Sequence, residues 1–273
     1  MIRTMRISII TVNLNNAVGL RRTIESVVAQ EGADLEYFVV DGGSTDGSVD
    51  AILEHSDEID RWVSEPDEGI YEAMNKGLRW ASGEYCLFLN SGDWLVDTGV
   101  LARAIASVHG EAGVYYADLL NTDGHRTWKR EYPRELDVNF FLGGTISHQN
   151  SLIRRELLLE AGLYREDFRI SSDWYFFLYA IHRLGTSFQY LSEPIAYFYF
   201  EGLGTDPRYA VLREEERRRG LRDVFGPLSR SIEELLGFRE SIYGRIAKQY
   251  GVGRVLTFLL RAYRRTATIF FRR

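Results

Sequence analysis

A chain of 273 residues with 45% apolar and 26% charged side chains is long enough for one or two domains around a substantial core. Its net charge of -6 argues against general nucleic-acid binding, and the single Cys86, set in an apolar run, excludes an intrachain disulfide framework. The N-terminal segment lacks a cleavage region and no stretch is apolar enough to span a bilayer, so a cytoplasmic location is expected.

Arg6 to Val12 reads as a β-branched strand that ends in the polar turn Asn13, Leu14, Asn15, Asn16, and Leu20, Ile24, Val27 and Val28 then recur at helical spacing. Tyr37 to Val40 is a second strand, closing on Asp41 and a turn rich in glycine, after which Val49, Ile52 and Leu53 mark a short helix. A weaker strand, Arg61 to Ser64, precedes a helix with Ile70, Met74, Leu78 and Ala81 on one face and Gly83 as its stop. Tyr85 to Leu89 is apolar without alternation, as expected of a central strand covered on both faces, and it stops in Asn90, Ser91, Gly92, Asp93. A helix follows near Val100 to Val108. This alternation predicts an α/β fold with a doubly wound, mostly parallel central sheet. Ligands of such sheets lie outside the carboxyl ends of the strands, which places Asp93 at a crevice; helix capping is its competing role.

Beyond residue 110 the pattern is more mixed. Val114 to Asp118 and Thr127 to Tyr132 read as strands, Arg155 to Ala161 as a helix, Trp174 to Gly185 as an aromatic helix, and Phe188 to Leu191 and Ile195 to Phe200 as further strands. After Gly204 the chain turns helical, over Tyr209 to Phe225, Ser231 to Tyr250 and Val252 to Arg273. The run REEERRR in the first of these reads as a solvated face. The last carries six arginines and no acid among Leu, Ile and Phe, which suits either an anionic membrane surface or packing on this chain or a second subunit.

Acidic turns at strand ends suit a polar, phosphorylated ligand, whether by accepting from a base or ribose or by holding a cation that bridges a diphosphate. There is no GxxxxGK[ST], no GxGxxG after the first strand, no HExxH and no CxxC, which argues against phosphate-loop hydrolysis, dinucleotide binding and the common zinc sites. IITVNLNN, VVDGGSTDGS, SEPDEGIYEAMNKG, LFLNSGDW, ISHQ and SSDWYFFL occur in this order, and together they resemble the family 2 glycosyltransferases over about residues 6 to 200.

The resemblance implies the A-type nucleotide-sugar-binding fold, with a catalytic domain at 1-205, split into a nucleotide-binding half (1-110) and an acceptor-binding half (111-205), and a helical extension at 206-273. It implies that Asp41 recognises the nucleobase, that Asn13 and Asn15 line the nucleotide pocket, and that Asn90 binds a ribose or sugar hydroxyl. Asp93 would hold a divalent metal, Mn2+ or Mg2+, although the NSGD turn keeps only one of the acids usual there; Lys76 could take over the diphosphate. Asp173 resembles the catalytic base of inverting members, against a competing role as a helix cap. His148 and Gln149 would contact the diphosphate or acceptor, or make structural hydrogen bonds. Asp67, Tyr71 and Trp94 would shape the donor pocket, the two aromatics having core packing as the alternative.

The expected activity is inverting transfer from a UDP- or GDP-linked sugar to a glycan or lipid-linked acceptor in cell-surface polysaccharide synthesis, with a peripheral position on the inner membrane face. A catalytically silent nucleotide-sugar-binding protein is the main rival. A sugar nucleotidyltransferase is a weaker one, because its basic, glycine-rich signature near the first strand is missing.

Overall fold

The computed structural model describes residues 5–109, 112–199 and 207–240. In chain order the elements begin with β1 (Arg6–Asn13), α1 (Ala17–Val28), β2 (Asp34–Asp41), α2 (Ser48–Leu53), β3 (Arg61–Ser64), α3 (Ile70–Trp80) and β4 (Tyr85–Phe88). Next come β5 (Trp94–Leu95), α4 (Val100–Ala106), β6 (Val114–Tyr116), β7 (Leu119–Thr122), β8 (Thr127–Arg130), α5 (Val138–Gly143), β9 (Ser151–Arg154) and α6 (Arg155–Glu160). The described part closes with α7 (Ser172–His182), β10 (Phe188–Tyr190), β11 (Ala196–Tyr199), α8 (Ala210–Phe225) and α9 (Ser229–Glu240). The chain divides into two compact units, residues 1–220 and 221–273; the site lies in the first.

The main sheet has seven strands in the order β10-β6-β9-β4-β1-β2-β3. Every neighbouring pair is parallel except those of β9, which runs antiparallel to both β4 and β6. β4 is buried throughout, as its uninterrupted apolar run requires, because helices cover both faces of a parallel sheet. Helix α1 buries Leu20, Ile24 and Val27 on one stripe and is capped by Asn16, whose side chain accepts from the Gly19 amide at 3.1 Å. Helix α3 lies close on β1 at Gly77, where a Cβ would stand 2.5 Å from Ile10 Cγ2.

A second, four-stranded sheet in the order β5-β11-β7-β8 takes the strand expected to complete the main sheet near residue 196. β7, β9 and α5 are elements that the sequence pattern does not mark. β9 is only Ser151, Leu152, Ile153 and Arg154, and it runs directly into α6, so its apolar pair merges with the following helical pattern. The expected terminal helix, Val252 to Arg273, lies outside the described residues.

Candidate active site

The carboxyl ends of β1 and β2 form one hydrogen-bonded block. Asp41, fully buried, accepts at Oδ1 from Asn13 Nδ2 and Ser44 Oγ, both at 2.6 Å, and at Oδ2 from the Ser44 amide at 2.9 Å and Ser64 Oγ at 2.6 Å. Burial opposes the charge, but these donors outweigh it and hold the carboxyl below its usual range. Four donors occupy the acceptor sites of an ionised carboxylate, so none is left for a nucleobase. Asn13 instead presents its own Oδ1, which is buried without a hydrogen-bond partner. Asn15 is exposed and works as a strut: its amide donates to Ser44 Oγ at 2.7 Å and its Oδ1 accepts from the Thr45 amide at 2.9 Å.

Beside this block lies a second acid. Asp67 pairs through Oδ1 with Lys76, while its buried Oδ2 has no hydrogen-bond partner. Burial raises its pKa against the pull of Lys76. A Cβ on Gly42 would come within 3.3 Å of both Asp67 Oδ2 and Leu14 Cδ1, so the glycine leaves the gap between them open. Leu14 is 64% exposed, an apolar wall facing solvent. Lys76 also reaches Glu65 Oε1 at 3.0 Å and Glu72 Oε1 at 3.4 Å. Three carboxylates thus surround the ammonium and raise its pKa despite burial, in contrast to the free cation expected for a diphosphate.

A chain of polar side chains joins β4 to α7. Asn90 Nδ2 lies 3.3 Å from His148 Nε2, and His148 Nδ1 lies 3.5 Å from Asp173 Oδ2. If the asparagine amide donates, Nε2 is the acceptor and Nδ1 carries the proton toward Asp173. Tyr71 donates from its hydroxyl to Asp173 Oδ1 at 3.0 Å. Asp173 is the second residue of α7, where the helix dipole favours a carboxylate, and its side chain keeps 19% of its surface exposed. Burial opposes its charge, but His148, the Trp174 amide and Tyr71 together lower the pKa. Burial raises the Tyr71 pKa well above its ordinary value, and so does Asp173, so the phenol stays a donor. Asn90 Oδ1 is buried with no hydrogen-bond partner and is free to accept from a ligand hydroxyl.

Asp93 is placed differently. It is buried, and it accepts from the Tyr199 amide and from Gln149 Nε2, each at 2.9 Å. Burial pushes its pKa up to about 6. It therefore ties the NSGD turn to β11 and to the turn at His148. Gln149 has the structural role rather than an open one. Trp94 stacks on Tyr197, with ring centroids 5.1 Å apart, under the guanidinium of Arg22 at 3.9 Å.

The charge run of α8 was expected to be solvated, and part of it is not. Glu216 is 5% exposed and accepts from the amides of Arg169, Ile170 and Ser171 at 2.5, 3.0 and 2.9 Å. These three residues form the turn that launches α7, so Glu216 fixes the base of the helix that carries Asp173. Gly220 completes the contact, since a Cβ there would stand 2.7 Å from Trp174 Cζ3. The signal available in sequence was Gly220 closing the run, one turn after the last of its three glutamates.

The donor set does not fit a resident divalent metal. Asp93 is the one acid of its turn and both its oxygens are engaged, and no group of three His, Cys, Asp or Glu side chains among the described residues could hold an ion.

The model of the family described as glycosyl transferase family 2 matches residues 8–162. A PGL/p-HBAD biosynthesis glycosyltransferase of Mycobacterium bovis is 33% identical over 174 residues, which cover 62% of this chain and 67% of the relative. Among solved structures, S. aureus TarS 1-349 in complex with UDP-GlcNAc superposes with a TM-score of 0.66 at 18% identity, covering 91% of this chain and 76% of that one. Against a longer S. aureus TarS structure the match spans 44% of that chain. The mannosyltransferase PcManGT from Pyrobaculum calidifontis, in complex with GDP-Man and Mn2+, gives a TM-score of 0.57 at 15% identity, over 95% of this chain and 83% of that one. These two likenesses concern the fold.

Proposed function

The chain belongs to the family 2 glycosyl transferases, and on that premise we propose that it is an inverting enzyme that moves a sugar from a nucleoside diphosphate to a hydroxyl of a glycan or lipid-linked acceptor. One observation carries the reading: a single partly exposed carboxylate, Asp173, is held ionised at a helix start by Tyr71 and His148. Inversion asks for one base. Asp173 takes the acceptor's proton as that oxygen attacks the anomeric carbon from the face opposite the departing nucleoside diphosphate. Tyr71 orients Asp173 through Oδ1, His148 stands 3.5 Å from Oδ2, and Asn90 lies beside His148 while offering Oδ1 to the sugar.

At the other end, Leu14, Gly42 and Asp67 border the gap that would take the base, with Asn13 Oδ1 and Asp67 Oδ2 as free acceptors for its N–H groups. UDP and GDP are the donors to try first, since the two structural neighbours are named with UDP-GlcNAc and GDP-Man. The PcManGT complex includes Mn2+, which would neutralise the diphosphate in that protein; no step proposed for this chain runs through a metal. The mycobacterial relative is named for PGL/p-HBAD biosynthesis, which supports a biosynthetic transfer onto a larger acceptor. No helix among the described residues is long and apolar enough to cross a membrane.

Calorimetric titration with UDP, GDP, dTDP and CDP, each with and without Mn2+, tests the donor site. One diphosphate is expected to bind, with little change on adding the metal. Binding of none of them would remove the donor reading.

A further inference from the structure

Arg217, stacked on Trp174, and Arg130, over Tyr132, have no ion-pair partner among the described residues. Arg217, one residue beyond the buried Glu216, stacks its guanidinium 4.9 Å from the Trp174 ring centroid. Its Nε is buried without a hydrogen-bond partner, and among the described residues it forms neither an ion pair nor a hydrogen bond. Arg130, at the end of β8, also has no carboxylate partner among the described residues. It lies 5.3 Å over the Tyr132 ring, and its Nη2 is 3.9 Å from the place a Cβ would occupy on Gly144. Trp174 Nε1 donates to Phe141 O at 2.6 Å, which brings the end of α5 and its two glycines onto the start of α7.

The two cations share one electrostatic neighbourhood with the base. Burial lowers the Arg217 pKa, Asp173 opposes that, and Arg130 is among the charges that add to it. Elsewhere Arg79, Arg103 and Lys129 each sit within 3.2 Å of an acid. The half-buried Arg217 guanidinium, left without a hydrogen bond, is costly unless an anion meets it, while Arg130 is exposed and open to the same ligand. Asp173 does not serve, because its oxygens are turned to Tyr71 and His148. Near the NSGD turn, Asp93 is already engaged and Arg22 is bonded to Gly92 O, and Lys76 of α3 is already paired with three acids.

We propose that Arg217 and Arg130 form a subsite for a phosphate group, with their planar forks suited to bidentate contact and the bare backbone of Gly143 and Gly144 allowing its close approach. The phosphate belongs either to the leaving nucleoside diphosphate or to a phosphorylated acceptor. The inference rests on the proposed reaction only for the molecule that carries the phosphate.

The test is calorimetry on the full chain with inorganic pyrophosphate, then with UDP and GDP against uridine and guanosine. Arg217→Met keeps the stem on Trp174 and removes the charge, Arg217→Lys keeps the charge and loses the fork, and Arg130→Met is the companion. Both Met variants are expected to lose about tenfold or more in pyrophosphate affinity with nucleoside binding unchanged, and Arg217→Lys to recover part of it. An equal loss for the nucleoside diphosphates assigns the phosphate to the donor. A rise in KM confined to phosphate-bearing acceptors, with diphosphate binding intact, assigns it to the acceptor. Folded variants with unchanged pyrophosphate affinity and unchanged acceptor KM overturn the subsite. Arg217-dependent pyrophosphate binding in a protein that takes no nucleoside diphosphate would keep the subsite and reject the donor reading instead.

Discussion

Asp41 at the end of β2 and Asp173 at the start of α7 are both carboxylates whose pKa lies below the ordinary range. They differ in what they have left to give. Asp41 has all four acceptor positions filled by Asn13, Ser44 and Ser64 and no exposed surface, so it is a clamp that sets the loops after β1 and β2. Asp173 has one side-chain hydrogen bond, from Tyr71 to Oδ1, with His148 Nδ1 3.5 Å from Oδ2 and an exposed edge. The turn of Asp41 is therefore built to hold shape, and the start of α7 keeps a carboxylate with capacity to spare. Residue type and position along a strand do not separate these roles; unused hydrogen-bonding capacity does.

The widest separation is expected between amide substitutions at the two positions. Asp173→Asn keeps the size and the Tyr71 contact but cannot take a proton, so kcat should fall by about a hundred- to ten-thousandfold while the donor's Kd changes little. Asp41→Asn should act through folding, because its new NH2 faces donors from two serines and an asparagine. Measuring kcat alongside donor Kd for both variants checks the contrast. Residual turnover near wild type in Asp173→Asn, or product with the donor's own anomeric configuration by NMR, would break it.

Glu216 sharpens the contrast from outside the site. Its carboxylate satisfies three amides of the turn before α7, and Glu216→Ala leaves the buried Ser171 amide unpaired and the two part-buried ones to water, at a cost of about 2 kcal/mol in urea unfolding. Glu216→Gln retains shape and part of the bonding. With Asp173 less well held, its kcat should fall about tenfold with donor KM unchanged, the split expected of a positioning residue. A Gln variant that loses stability but keeps kcat would confine Glu216 to folding.

The parallel half of the sheet was readable because its strands are apolar runs that end in turn residues, and β1, β2, β3 and β4 fall where those runs predict. β9 was not readable: four residues inserted antiparallel between β4 and β6 owe their place to strands distant in sequence. In the site, Asp173, Tyr71, His148 and Asn90 were named from motif and do converge. Their mutual order was invisible, since Tyr71 and Asp173 are 102 residues apart in the chain. Lys76 and Asp93 were named for open chemistry, and burial with partners turned both into internal ties. The charge run of α8 misled for the opposite reason, because polar sequence reads as surface whether or not buried backbone amides wait beneath it.

Asp93 offers the smallest and most diagnostic effect, since its shift runs against that of the other two acids. Its folded pKa, about 6, lies above the ordinary 3.8, so between those values the native protein holds more protons than the unfolded chain. Stability attributable to Asp93 therefore falls as pH rises from 4 to 6, by no more than about 3 kcal/mol, and levels off above that window. Asp41 and Asp173, with lowered values, lose their contribution only as pH falls through their folded pKa values, below 3.8, whereas Asp67, also raised by burial, contributes alike to wild type and to an Asp93 variant. Urea unfolding of wild type and Asp93→Asn from pH 4 to 7 isolates the slope. The advantage of wild type over the variant is expected to shrink as pH rises, and to do so equally with Mn2+ present. A cation that held Asp93 ionised would flatten the slope only in the metal series, and that result would return Asp93 to the role of a metal ligand.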